Sequence, residues 1–362
     1  MRVVIAPDKF AGTMTAREAA LAIATGWAQR APDDQLDLAP MADGGPGFVA
    51  CMQHSLGGDL HSTSVTGPNG GLVEATYLLH QGTAYLESAQ AIGLHLADPE
   101  LVETASSLGL GELIVAAIEH GASRLVIGVG GTATNDGGAG LLAALGASSQ
   151  HGNLLGGAAG LSEIRGVDLA PARHRVSGVE LVLASDVDSQ LSGLFGATKT
   201  FGPQKGLSPD RIPAVDGWLQ GWGEQLDRKL AAAKGAGSGG GAGFALLLLG
   251  GSRVPGVATV AEAIDLPARL RGADLVITGE GAFDFSSRSG KVPYGVAELA
   301  GAALVPCIAL AGQVQIASRE MRALGFESAY SMVDLVGEEN SMNQPVASLT
   351  QLAKRVARTW SH

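Results

Sequence analysis

Short unbroken apolar runs, each closed by a glycine or a carboxylate, alternate with helix-period segments along much of this chain. The run at 3–6 (VVIA) is bounded by Pro7 and Asp8, the pattern of a strand buried on both faces. Thr15 and Glu18 then form a T-x-x-E capping box, and Ala19, Ile23 and Trp27 continue a helical face. Residues 35–41 read as a second strand that ends in Ala42-Asp43-Gly44-Gly45, with a helix-like run to about Gln53. Each strand of this βαβα start delivers an aspartate at its C-terminal end, the ligand edge of an open parallel sheet.

The texture changes near residue 63. Residues 63–90 alternate Val, Thr and Tyr around the turn signals Pro68-Asn69-Gly70 and Gln81-Gly82, which predicts antiparallel hairpins. A helix is predicted over 109–120, from apolar positions at Leu110, Leu113, Ile114, Ala117 and Ile118. Residues 126–146 (VIGVGGTATNDGGAGLLAALG) pass from an apolar strand through a glycine-rich turn into an Ala/Leu-rich helix. Backbone N–H groups of such a turn converge on an anion, helped by the helix N-terminus. Another buried strand at 181–184 ends in Ser185-Asp186-Val187-Asp188, and Phe201-Gly202-Pro203-Gln204-Lys205-Gly206 is a rigid loop with one lysine. Ser208 and Pro209 start an amphipathic helix to about Ala233. Residues 235–243 (GAGSGGGAG) read as a second glycine-rich turn into a buried helix.

From Ala273 the first pattern returns. Strands at 275–278, 305–310 and 329–333 lead into Gly279-Glu280-Gly281, Ala311-Gly312 and a C-terminal helix over 346–359. The ends of the chain are alike and the middle is not. Residues 1–62 and 271–362 are therefore expected to form one parallel α/β domain, with a mixed α/β domain inserted at 63–270.

Composition narrows the chemistry. Glycine supplies 53 of 362 residues, about twice the ordinary share of roughly 7%, and without a collagen period. Aromatic residues are 4% and the net charge is −11, without a Lys/Arg cluster, which argues against nucleic acid and anionic membrane as partners. Cys51 and Cys307 lack metal-ligand spacing and are expected to be buried thiols in a reducing cytoplasm. The N-terminus lacks a signal-peptide core, and no apolar run reaches the ~18 residues of a membrane span.

There is no G-x-x-x-x-G-K-[ST] and no G-x-S-x-G elbow, and the eight histidines show no metal-ligand spacing. Gly128-Val-Gly130-Gly-Thr-Ala133 fits the loose dinucleotide pattern, but Ser148, Ser149, Gln150 and His151 stand where its acidic residue belongs. What remains is a set of strand-end carboxylates (Asp8, Asp43, Asp186, Asp188, Glu280, Asp284), glycine cradles and the isolated lysines Lys9, Lys205 and Lys291. Phosphoryl transfer uses such a kit: amides and lysines hold phosphates, while carboxylates hold Mg²⁺ or take the acceptor's proton.

The blocks VVIAPDKFAGTMTA, ADGGPG, GVGGTATNDGGAG, FGPQKG, GAGSGGGAG and ITGEGAFDFSSRSGKVPYGVA, in this order, make the chain resemble the glycerate kinase family of the bacterial glycerate 2-kinase type over nearly its whole length. The resemblance implies ATP-dependent, Mg²⁺-supported phosphorylation of D-glycerate. It also implies a flavodoxin-like domain interrupted by a second α/β domain, with the active site in the cleft between them. On this reading Asp186 is general base or metal ligand, with Asp188 as a second metal ligand. Lys205 and Lys291 hold transferring phosphates or the substrate carboxylate. Gly130, Gly131, Asn135, Asp136, Gly137 and Gly138 form the anion cradle, and Asp8, Lys9, Asp43, Glu280 and Asp284 complete the binding set.

The chain departs from the family's pattern at several polar positions. Lys9 stands for a serine and Ala11 for a lysine in PDSFKGSLSA, and Pro46 for the glutamate of ADGGEG. Ser185-Asp186-Val187-Asp188-Ser189-Gln190-Leu191 replaces CDVxNPL; Ala282 and Ser286 replace an arginine and a glutamine, while Asp284, Ser287, Gly290 and Lys291 are kept. The alternatives left open are a related small hydroxy acid, the 3-hydroxyl of glycerate, a ligand-binding paralogue without catalysis and, last, an NAD-dependent oxidoreductase. Oligomerisation is left open too.

Overall fold

A computed structural model describes residues 1–284 and 291–361; Ser286, Ser287 and Gly290, named above, lie outside the described residues. The chain divides into two compact units, one of Met1–Asp43, Ala50–Leu56 and Pro255–His362, the other of Gly44–Val49 and Gly57–Val254. The divisions between the major segments therefore fall at 56/57 and 254/255, where the sequence pattern placed them at 62/63 and 270/271.

Among the described residues eleven strands build the two main sheets: β1 (Arg2–Ile5), β2 (Gln35–Leu38), β3 (Asp59–Thr66), β4 (Leu72–His80), β5 (Thr83–Glu87), β6 (Arg124–Gly128), β7 (Glu180–Ala184), β8 (Ser252–Val254), β9 (Leu275–Thr278), β10 (Cys307–Ala311) and β11 (Ser328–Ser331). In the first unit the order is β2-β1-β9-β10-β11 and every pairing is parallel. Counted along the unit's own strands this is the flavodoxin-like order 2-1-3-4-5, whose topological switch point lies between β1 and β9. The central strands are fully buried, as their continuous apolar runs require, whereas edge strand β2 alternates polar residues and is only partly covered.

Helix Ala16–Ala28 starts at the expected capping box, with Thr15 and Glu18 exchanging side-chain and backbone bonds. It packs on helix Pro345–Trp360 so closely that a Cβ on Gly26 would stand 2.0 Å from the Thr350 carbonyl oxygen. Ile23, Trp27, Leu349, Leu352 and Val356 close this face of the core over Val3, Ile5 and Ile277.

In the second unit the order is β8-β7-β6-β5-β4-β3, parallel from β8 to β5 and antiparallel for the hairpins β5-β4 and β4-β3. The predicted helix at 109–120 is Leu108–Glu119, and the turn at 235–243 leads into buried helix Ala242–Leu248.

Several predicted bounds differ: the strand expected over 35–41 ends at Leu38, that over 305–310 is Cys307–Ala311, and two further differences have a visible cause. The helix expected to about Ala233 stops at Leu226, because Asp227 is extended and its side chain caps a new short helix by accepting from Leu230 N–H. The last strand ends at Ser331 instead of Val333, since Ser331 Oγ accepts from Asp334 N–H and starts helix Met332–Val336. No helix among the described residues is long and apolar enough to cross a membrane.

Candidate functional site

The switch point of the first unit gathers Asp8, Lys9, Asp43, Glu280, Asp284 and Lys291 on the segments that leave β1, β2 and β9. Asp8 follows the four-residue strand β1, and its N–H donates to the Gly279 carbonyl at 2.8 Å, joining the two loops across the switch point. Lys9 Nζ lies 3.3 Å from Asp43 Oδ1 and 3.6 Å from Asp8 Oδ1. Burial alone would lower the Lys9 ammonium, yet Asp43 and Asp8 together hold it above its ordinary value. Lys291 Nζ stands 3.4 Å from Glu280 Oε2 and 3.8 Å from Asp284 Oδ1. Asp8 and Glu280 are buried, while Lys9, Asp43, Asp284 and Lys291 keep partial exposure. Of the positions where the chain departs from the family pattern, Ala11 and Ala282 lie beside this cluster and line a cavity with Phe10, Gly312 and Met332.

In the second unit the corresponding edge carries the glycine-rich turn after β6 and the Ser185-Asp186-Val187-Asp188 segment after β7. Asp136 is fully buried and accepts from Ser107 N–H and Oγ at 2.8 Å each, Gly138 N–H at 3.0 Å and Gly140 N–H at 3.1 Å. Burial pushes its carboxyl up; four donors oppose that shift. The turn thus encloses an anion of its own. Gly130 N–H donates to the Gly44 carbonyl and Gly137 N–H to the Gly240 carbonyl, so the amides at Gly130, Gly137 and Gly138 that were read as a phosphate cradle have partners inside the chain. Gly131 turns at φ +72°, and its carbonyl accepts from Leu94 N–H. Gly240 is required here by contact as well as by its φ of +66°, because a Cβ would stand 1.8 Å from the Thr134 carbonyl oxygen.

Lys205 is buried and donates to the Thr134 carbonyl at 2.6 Å, with Thr132 Oγ1 at 3.5 Å. Burial lowers its ammonium to about 8 against the attraction of Asp136. Asn135 Nδ2 donates to Thr198 Oγ1 at 3.0 Å, while Asn135 Oδ1, Thr134 Oγ1 and Ser189 Oγ are buried polar atoms with no partner among the described residues. Orphaned polar atoms of this kind mark places where water or a ligand completes the bonding.

The two aspartates after β7 diverge. Asp186 is partly buried, whereas Asp188 is exposed and paired with Lys234 at 2.6 Å and Arg253 at 2.8 Å, which hold its carboxyl below the ordinary range. Lys234 and Arg253 were absent from the sequence reading, as was Ser107, although Ser107 sits at the N-cap position of helix Leu108–Glu119. Among the described residues no group of three or more His, Cys, Asp or Glu side chains is placed to hold a metal.

The sequence profile of the glycerate kinase family matches residues 3–361. The chain is 39% identical over 345 residues to the glycerate kinase of Bacillus subtilis (strain 168), covering 92% of this chain and 90% of the relative. It is 38% identical over 351 residues to the glycerate 2-kinase of Escherichia coli (strain K12), covering 93% and 92%. A solved chain assigned as glycerate kinase 2 from Salmonella typhimurium LT2 matches with a TM-score of 0.83 and 36% identity over 99% of this chain and 98% of that one.

Proposed function

Because the chain belongs to the glycerate kinase family, we propose that it transfers the γ-phosphoryl group of ATP to the 2-hydroxyl of D-glycerate. The observation that carries this is the cluster at the first unit's switch point, where Lys9 and Lys291 stand among four carboxylates. An anionic phosphate or a glycerate carboxylate finds cations there, while the carboxylates offer proton acceptors. Lys205 would place a further positive charge beside the orphaned oxygens of Thr134 and Asn135 in the second unit. The relative from Escherichia coli, named a glycerate 2-kinase, favours the 2-hydroxyl over the 3-hydroxyl.

The donor set suits Mg²⁺, which takes oxygen ligands and keeps several waters, so that one or two carboxylates plus phosphate oxygens suffice. Asp186, half-buried just after the end of β7, would hold it. When bound, the ion would neutralise phosphate charge. The buried thiols of Cys51 and Cys307, neither of them in a disulfide, suit a reducing cytoplasm. The test is ADP release from ATP with D-glycerate, with L-glycerate and with no acceptor. Release that requires D-glycerate is expected; release indifferent to it overturns the reading.

A further inference from the structure

The carboxylates at the switch point are unequally committed. Lys9 pairs with Asp43 at 3.3 Å and with Oδ1 of Asp8 at 3.6 Å, and Glu280 and Asp284 share Lys291. Asp8 is only 6% exposed, and its Oδ1 accepts from the Lys9 backbone N–H at 2.8 Å. Among the described residues its Oδ2 accepts no hydrogen bond. The loop bond from Asp8 N–H to Gly279 fixes where this oxygen sits relative to the ends of β1 and β9. One oxygen is anchored and the other is uncommitted, at the place where a sheet of this order binds its ligand.

We propose that Asp8 is a catalytic residue, accepting through Oδ2 the proton of the hydroxyl that is phosphorylated. The proposal rests on the kinase reading above. The hydroxyl oxygen forms its bond to the γ-phosphorus, and the bond from that phosphorus to the β,γ-bridging oxygen breaks, its electron pair leaving with ADP. The hydroxyl proton passes to Asp8 and then to water.

The surroundings set the basicity this step needs. Burial, together with the like charges of Asp43 and Glu280, pushes the Asp8 carboxyl up to about 7 against the pull of Lys9. A base works best when its pKa lies near the operating pH.

The experiment measures D-glycerate-dependent turnover from about pH 5 to 9 at saturating ATP for wild type, Asp8→Asn, Asp186→Asn, Glu280→Gln and Lys9→Met. Wild-type turnover is expected to fall on the acid side through about pH 7. Asp8→Asn loses roughly 10²–10⁴-fold in kcat together with that limb. Asp186→Asn keeps the limb. Glu280→Gln removes a like charge and moves it to lower pH; Lys9→Met removes an opposite charge and moves it to higher pH. A structural role for Asp8 would not produce opposite shifts.

Melting temperature checks the fold. An acid whose folded pKa lies above its unfolded value costs stability above the folded pKa, and this cost disappears as pH falls below the unfolded value. Asp8→Asn therefore melts no lower than wild type at about pH 8. An active wild type with Asp8→Asn retaining both turnover and limb overturns the Asp8 role and leaves the kinase reading intact. A wild type without D-glycerate-dependent turnover overturns both. If Asp8→Asn does not fold, a limb that stays put in both Glu280→Gln and Lys9→Met overturns the proposal.

Discussion

Lys205 Nζ donates to the carbonyl oxygen of Thr134 at 2.6 Å from a position only 6% exposed. A lysine this deep secures the backbone of the glycine-rich turn as well as carrying charge. Burial lowers its pKa from 10.5 to about 8, so the ammonium holds its proton more weakly in the folded chain than in the unfolded one. The unfolded state therefore holds more protons between those values, and stability attributable to Lys205 rises as pH rises from about 8 to 10.5. Lys205→Met is expected to lose this gain and to lower kcat. Melting temperatures of both proteins across that window, with turnover measured alongside, provide the check; parallel melting curves would contradict it.

Asp136 is surrounded by donors alone: two from Ser107 and the N–H groups of Gly138 and Gly140. Asparagine has the same shape, but its amide group would direct N–H toward N–H. Asp136→Asn should therefore destabilise the second unit by roughly 2–5 kcal/mol, the cost of breaking a buried charged network. Chemical denaturation measures this directly. A variant of wild-type stability would return Asp136 to the role of an optional ligand group.

Much of the parallel sheet architecture was legible because central strands buried on both faces must be continuous apolar runs, as at Leu275–Thr278. Strand β8 was not, since Ser252–Val254 reads SRV and joins its sheet through backbone pairing with β7 rather than through an apolar signature. The end of β11 was misjudged because Met332 and Val333 favour a strand locally, while a serine cap decides otherwise. At the candidate site, residue types and strand ends could be read from the chain, but partnerships could not. Nothing in the spacing shows Lys9 bridging Asp8 and Asp43, or Asp188 taken up by Lys234 and Arg253. The glycine-rich turn looked like an empty cradle because periodicity does not reveal that Asp136 folds back into it.

The unequal surroundings of Asp186 and Asp188 lead to a test of the metal. Turnover is expected to require Mg²⁺ and to vanish in EDTA. Asp186→Asn should raise the Mg²⁺ concentration needed for half-maximal turnover at least about tenfold, as loss of a ligand does. Asp188→Asn should leave that concentration within about twofold of wild type and should cost at most about 1 kcal/mol in stability, because Asp188 itself is exposed. Titration of turnover with Mg²⁺ separates the two. Equal effects of both substitutions would contradict the assignment, and full turnover in EDTA would remove the metal from the account.

Identifying the phosphorylated product tests the central claim most directly. ATP, Mg²⁺ and D-glycerate are incubated with the protein and the product is examined by phosphorus and proton NMR. The account predicts a phosphate coupled to the single proton at C2, which is 2-phosphoglycerate, formed in step with ADP. A phosphate coupled to the two C3 protons, or ADP without any phosphoglycerate, would contradict it.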